Sequence, residues 1–361
     1  MKERAYSEFW QGLHQDAAGE NIPLRVMFEL TYQCNFSCPH CYVPFDYRGI
    51  YKPLELTTQE VFGILTQLKD IGCFYLGFTG GEIFTRKDII EILCYAKSLG
   101  FELILYTNGS LIDSAIARGL SRLGVNKVDI TIPAMTVSAF KRVSKKAGAR
   151  DAVFRAVRLL RENGVAVGLK TCLLKDNEKE IHDIQGFAAS LGLEHRLDER
   201  PSLCLDGSRI PYDYRAQIIS LPPQSLSVAA EGHQKKRKEK KAKPEKLFFC
   251  GVGETQAALT PAGELKMCLM IDYPKFKVRP LEGKKGLSLK EAWDKLIKLT
   301  ARIKADTTYT CDSCSLSAYC QWCPAKSWLE KKGFSSCDED SRLGALLKKE
   351  GKNLYGASCA A

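Results

Sequence analysis

Between residues 24 and about 200, short β-rich runs alternate with helical patterns, and this alternation limits the fold more than any other property of the chain. LRVMFEL (24–30) reads as a strand. LTTQEVFGILTQLKDIG (56–72) has helical spacing, with Thr57 and Glu60 fitting a capping box and Gly72 a C-terminal stop. CFYLGF (73–78), ELILYT (102–107), KVDITI (127–132), VAVGLKTCLL (165–174) and LEHRLD (193–198) read as further strands. Helices are expected over 87–100, 112–123, near 150–163 and over 178–191. Such alternation implies parallel strands joined by right-handed crossovers. About six units are too few for a closed eightfold barrel, which leaves an α/β open partial barrel or a doubly wound sheet. In either, chemistry belongs at the carboxyl ends of the strands.

The chain has 361 residues, 45% of them apolar and 26% charged, which excludes wholesale disorder and fibrous repeats and suits two or three domains. No apolar run approaches the ~18 residues that span a bilayer, and the start, MKERAYSEFWQGLHQD, lacks the apolar segment of a secretory signal. A soluble cytoplasmic protein without a membrane partner is expected. The pattern divides the chain into an N-terminal arm (1–23), the alternating core (24–200), a linker or insertion rich in Pro, Ser and charge (201–246), a cysteine-dense segment (247–340) and a C-terminal tail (341–361). In the cysteine-dense segment little helix is expected beyond 288–303, so metal is a natural organiser.

Net charge is +11, but eight Lys/Arg and two Glu in KKRKEKKAKPEK (235–246) supply +6 of it. A run of this kind can track nucleic-acid phosphates or an acidic peptide. It has no interleaved aromatics and lies between two motif-bearing regions, so it reads as a solvated linker, and nucleic acid is disfavoured as a partner.

Fifteen cysteines, an odd number with no secretory signal, argue for metal or redox chemistry over a disulfide framework. Cys34, Cys38 and Cys41 sit in a Cx3Cx2C arrangement directly after the first strand. Zinc takes four ligands in a closed structural site and no fourth is nearby; His40, adjacent to Cys41, suits a plain loop role better than joint ligation. Three thiolates suit a four-iron cluster with one iron open to substrate. TGGE (79–82) ends the second strand and TNG (107–109) the third. Gly80 and Gly81 let a small ligand approach the backbone closely, and Glu82 or a backbone carbonyl can accept from a ligand ammonium. Further on come Cys250-x12-Gly263-x4-Cys268 and Cys311-x2-Cys314-x5-Cys320-x2-Cys323, then Cys337. Zinc ribbons are the alternative to iron–sulfur clusters there. Cys73, Cys94, Cys172, Cys204 and Cys359 stand alone and read as structural or incidental thiols.

CNFSCPHCY (34–42) followed by FTGGE (78–82) resembles the radical S-adenosylmethionine (SAM) superfamily, whose core is a partial (β/α)6 barrel. The resemblance implies that Cys34, Cys38 and Cys41 bind a [4Fe-4S] cluster whose open iron is chelated by SAM. It implies that Tyr42 lies near adenine and that Gly80, Gly81 and Glu82 lie near the methionine amino group. Asn108, Thr131 and Lys170 fall where strand-end residues contact SAM. The C-terminal pattern resembles the SPASM extension of radical SAM maturases, which implies two auxiliary [4Fe-4S] clusters. By that likeness Cys250, Cys268 and Cys323 hold the first, and Cys311, Cys314, Cys320 and Cys337 the second. The central group ends in Cx2C where the family usually has Cx3C, and the first cluster has no obvious fourth ligand unless Cys204 or a carboxylate closes it.

SPASM enzymes mostly modify peptides or proteins, so the resemblance implies hydrogen abstraction from a peptide or protein, with flavodoxin or ferredoxin as reductant. Leu269 after Cys268 stands where sulfatase maturases carry an Asp, which counts against that activity. Only about 23 residues precede the first strand, too few for a leader-binding winged helix, so a separate leader-binding protein or capture by 201–246 is expected. Haem- or quinone-type cofactor biosynthesis is the alternative substrate class.

Overall fold

The computed structural model describes residues 6–216 and 246–350. The basic run, apart from Lys246, and Cys359 lie outside the described residues. Strands β1 (Arg25–Thr31), β2 (Tyr75–Gly80), β3 (Glu102–Thr107), β4 (Lys127–Thr131), β5 (Val167–Cys172) and β6 (Glu194–Asp198) lie parallel, each beside the next. Helices α1 (Tyr6–Gly19), α2 (Tyr47–Tyr51), α3 (Thr58–Asp70), α4 (Ile89–Ser98), α5 (Ser114–Arg122), α6 (Val137–Ser144), α7 (Ala149–Glu162) and α8 (Ile181–Ser190) precede or separate them. The expected capping box opens α3: the Glu60 amide donates to Thr57 Oγ1 while the Thr57 amide donates to Glu60 Oε2. Gly72, at φ +84°, takes the left-handed turn after it.

Side chains alternate across each strand. Val26, Phe28, Leu30, Phe78, Leu103, Leu105, Val128, Ile130 and Leu169 join the hydrophobic core formed with the helices. The alternate positions, among them Glu29, Thr79, Tyr106, Asp129, Lys170 and Arg196, occupy the other face, which is the inner face of the sheet. This open sheet is the partial barrel, one of the two architectures that the pattern left open and the one that the resemblance implied.

The sheet is longer than six strands. β7 (Gln256–Leu259) pairs in parallel with β1, and β8 (Glu264–Lys266) and β9 (Phe276–Lys277) continue antiparallel, in the order β6-β5-β4-β3-β2-β1-β7-β8-β9. The cysteine-dense segment therefore grows out of the core through β1, and metal is not its sole organiser. It also contains α9 (Leu289–Arg302) and α10 (Pro324–Lys331). α11 (Glu339–Lys349) runs across residue 340, where the tail was expected to begin. Its Asp340 lies 3.0 Å from Arg200 and 2.6 Å from Arg215, tying the chain after β6 to the C-terminal segment. Among the described residues, no helix is long and apolar enough to cross a membrane.

Candidate iron–sulfur and cofactor site

The first cysteine loop hangs from the carboxyl end of β1. Thr31 Oγ1 and the Tyr32 amide both donate to Glu55 Oε1, at 2.7 and 2.9 Å. Arg48 of α2 reaches back into the loop and donates to the Cys34 carbonyl at 3.2 Å and the Phe36 carbonyl at 2.6 Å. The Cys34, Cys38 and Cys41 thiols share one loop and feel one another's charge, but among the described residues no group of three or more His, Cys, Asp or Glu side chains is placed to hold a metal ion. Burial raises all three, Cys41 to about 11, and the Arg48 cation opposes that rise. Such thiols need a strongly bound cation to become thiolates at neutral pH. The His40 ring beside them is neutral, held near pKa 4 by burial, and its Nδ1 is buried without a hydrogen-bond partner. Three thiols on one loop, a neighbouring cation and an unpartnered ring nitrogen have the donor chemistry of a cluster site.

The TGGE turn meets this loop by backbone. The Gly81 amide donates to the Thr31 carbonyl at 2.7 Å and the Glu82 amide to the Gln33 carbonyl at 2.8 Å. A Cβ on Gly80 would stand 2.2 Å from Thr31 O, and one on Gly81 2.3 Å from Gln33 O. The close approach that both glycines permit is thus made by the chain's own first loop. Glu82 is fully buried, and its carboxylate accepts from Thr107 Oγ1 (2.7 Å), the Asn108 amide (2.7 Å) and the Phe84 amide (3.0 Å). Its side chain fixes the end of β3, which leaves backbone carbonyls of the turn as the acceptors for a ligand ammonium. Asn108 Nδ2 donates to Asn35 Oδ1 at 2.8 Å and lies 3.9 Å from Cys34 Sγ. Thr131 ends β4 in register with Lys170 on β5.

Tyr42, expected near adenine, gives its hydroxyl to Glu29 Oε1 at 2.8 Å. Tyr32 donates to Glu29 Oε2 at 2.9 Å, and Lys266 of β8 lies 2.9 Å from the same oxygen. Three residues missed by sequence reasoning thus support the site, Glu29, Arg48 and Lys266, and Cys204 supports it at a place other than the expected one. Cys204 donates to the Cys41 carbonyl at 3.3 Å, and the Leu205 amide to the Tyr42 carbonyl at 2.9 Å. That puts Cys204 against the first cysteine loop rather than with the C-terminal cysteines. Only contacts formed on folding single these residues out; nothing in their local sequence does.

The C-terminal thiols fall into two sets. Cys250 and Cys268 are raised by burial, Cys268 to about 12, and each lies in the field of Cys323. Cys320 is raised to about 11 by burial and by Cys337 and Cys311, while Cys337 is raised by burial, Asp338 and Cys314. These pairings run along the two sets that the resemblance implied, while among the described residues no three or more of the thiols are placed to hold a metal ion.

The family model of the radical SAM superfamily matches residues 28–188, the stretch that carries the three loop cysteines, the TGGE turn and the ends of β1 to β5. That stretch of the chain is similar to the radical SAM superfamily. The chain is 29% identical over 170 residues to PqqA peptide cyclase of Gluconobacter oxydans, covering 47% of each chain. It is 33% identical over 156 residues to Fe-coproporphyrin III synthase of Methanosarcina barkeri, covering 43% of this chain and 38% of that one. The chain spans about half the length, or less, of these curated relatives. Streptococcus suis SuiB, solved with S-adenosylmethionine, superposes with a TM-score of 0.63 at 15% identity over 94% of this chain and 83% of SuiB. That likeness concerns the fold.

Proposed function

We propose that this protein is a radical SAM enzyme that modifies a peptide or protein by hydrogen abstraction. The observation that carries the reading is the meeting of Cys34, Cys38 and Cys41 with the TGGE turn at the carboxyl ends of β1 and β2. A [4Fe-4S] cluster with SAM supplies one-electron cleavage of SAM and, from it, an organic radical able to take hydrogen from an unactivated carbon.

The chain's own residues bind, orient and exclude water. Arg48 pins the loop carbonyls and places positive charge beside the thiols. Gly80 and Gly81 seat the turn against the loop, with its carbonyls toward a ligand ammonium. Asn108 orients Asn35 beside Cys34, Thr131 ends its strand level with Lys170, and Tyr42 is held by Glu29. Cys250, Cys268 and Cys323 hold one auxiliary cluster, and Cys311, Cys314, Cys320 and Cys337 a second. A small electron-transfer protein such as flavodoxin or ferredoxin delivers electrons in a reducing cytoplasm, and a separate protein presents the substrate's leader.

Two resemblances support a peptide substrate: the PqqA peptide cyclase relative, and SuiB, also solved bound to its precursor peptide SuiA. Cofactor biosynthesis is the second reading, favoured by the 33% identity to Fe-coproporphyrin III synthase. The test is anaerobic incubation of reconstituted protein with SAM, dithionite and either small peptides encoded beside its gene or iron coproporphyrin. The reading expects 5′-deoxyadenosine that rises with one peptide, together with a changed peptide mass. Turnover of the porphyrin and of no peptide favours the second reading.

A further inference from the structure

On the inner face of the sheet, Lys170 and Arg196 stand opposite each other across β5 and β6. Lys170 is also level with Thr131 across β4 and β5. Its ammonium lies 3.9 Å from the centre of the Tyr106 ring and 3.4 Å from Asp129 Oδ2. Burial, reinforced by the Arg196 charge, pulls its pKa down to about 8, against the opposing pull of Asp129 and Asp198. Asp129 is shared, because its other oxygen is 3.4 Å from Lys127, which lies closer still to Glu194 at 2.6 Å. Arg196 is exposed, and among the described residues neither it nor Asp198, two residues on along the same face, forms an ion pair.

β6 is the last strand of the sheet at this side, whereas the opposite side is extended by β7 to β9. A chain-like substrate has to enter where the barrel is open, and Arg196 stands at that opening. Adjacent strands lie about 4.8 Å apart, so one carboxylate can bridge an ammonium and a guanidinium held in register on neighbours. Such a site is fixed by the strand ladder and backed by an aromatic ring, and its Arg196 guanidinium is in no ion pair among the described residues.

We propose that Lys170 and Arg196 anchor an acidic side chain of the peptide substrate. The inference rests on the peptide-modifying reading and moves Lys170 from the cofactor's site to the substrate's. The bound carboxylate would leave Asp129 to Lys127, and Asp198, nearer the strand end, would repel a second acidic residue next to the first.

The test labels amines on the reconstituted holoprotein at pH near the Lys170 midpoint with limiting acetyl N-hydroxysuccinimide ester, and reads Lys170 modification by peptide mass mapping. Three probes are compared at millimolar concentration: the capped pentapeptide Gly-Gly-Glu-Gly-Gly, its Gln counterpart, and SAM. The Glu peptide is expected to lower Lys170 labelling several-fold while the Gln peptide and SAM leave it unchanged. Arg196→Met should abolish that difference. Protection by SAM alone would return Lys170 to the cofactor and overturn the proposal, as would equal effects of the Glu and Gln peptides or no protection by either. SAM cleavage is followed in parallel. Cleavage without protection by the Glu peptide sinks this inference alone, and protection without cleavage sinks the radical reading alone.

Discussion

Lys266 Nζ lies 2.9 Å from Glu29 Oε2, with neither side chain exposed to solvent. The pair joins β1 of the parallel core to β8 of the cysteine-dense segment. Tyr32 and Tyr42 complete the hydrogen bonding of the Glu29 carboxylate, and the Leu269 carbonyl lies 3.3 Å from the ammonium. Tyr42 follows Cys41, and Lys266 precedes Cys268 by two residues, so one buried ion pair fixes both cysteine regions to the same strand edge. Removing one partner of such a pair leaves a buried charge unpaired and costs roughly 3–5 kcal/mol. Lys266→Met should lower unfolding stability by about that amount, and the double variant with Glu29→Gln should recover part of it in urea titrations. An unchanged midpoint for Lys266→Met would show that the pair is not formed.

The two glycines of the turn give a steric prediction. Gly81→Ala places a methyl 2.3 Å from the Gln33 carbonyl, and backbone on both sides leaves nothing flexible to move. A loss of about 1–3 kcal/mol is expected from overpacking of this kind. Gly186→Ala, which meets open space on α8, should cost nothing by the same thermal-unfolding measurement.

Arg48 is the cation nearest the first cysteine loop by its hydrogen bonds to Cys34 and Phe36. Arg48→Ala removes both bonds and the charge opposing the thiol rise, so iron bound at this site should fall while the C-terminal sites keep theirs. Arg48→Lys retains charge but loses the two-pronged geometry and should lie between. Iron counts compared with a Cys34→Ser/Cys38→Ser/Cys41→Ser variant read this out, and equal iron in wild type and Arg48→Ala would refute it.

Lys170 gives the pH prediction. Its pKa in the fold is about 8, below the ordinary 10.5, with burial as the main cause. Acylation of this amine should reach half its maximum near pH 8, whereas ordinary surface lysines continue to gain reactivity toward pH 10.5. Between those values the unfolded chain holds the extra proton, so this group makes the folded state more stable as pH rises through the window. Lys170→Met should flatten that rise in unfolding measurements; a midpoint at the ordinary value would contradict the buried placement.

What the sequence made legible was local or periodic. The Thr57–Glu60 capping box, the alternation of the six core strands and the Cx3Cx2C loop all declare themselves within a few residues. β7, β8 and β9 do not, because four-, three- and two-residue strands carry too little periodicity and gain their partners only once β1 is in place. α1 and α11 flank the core and the cysteine-dense segment, and were passed over as arm and tail. The glycines of TGGE read in the sequence as an opening for a small ligand, whereas the group that approaches them in the fold is the carbonyl of Thr31 or Gln33. Arg48, Cys204 and the Glu29–Lys266 pair act across 12 or more positions of sequence, a range at which no motif records them. The grouping of Cys250 and Cys268 with Cys323, and of Cys320 with Cys311 and Cys337, was accessible only through likeness of spacing.

The most direct measurement combines iron counting with SAM cleavage in one anaerobic preparation. Protein reconstituted with iron and sulfide, then given dithionite and SAM, should bind about twelve irons as three four-iron clusters and release 5′-deoxyadenosine. The Cys34→Ser/Cys38→Ser/Cys41→Ser variant should keep about eight irons and release none. Zinc in place of iron, with SAM left intact by the wild-type protein, would contradict the account at its centre.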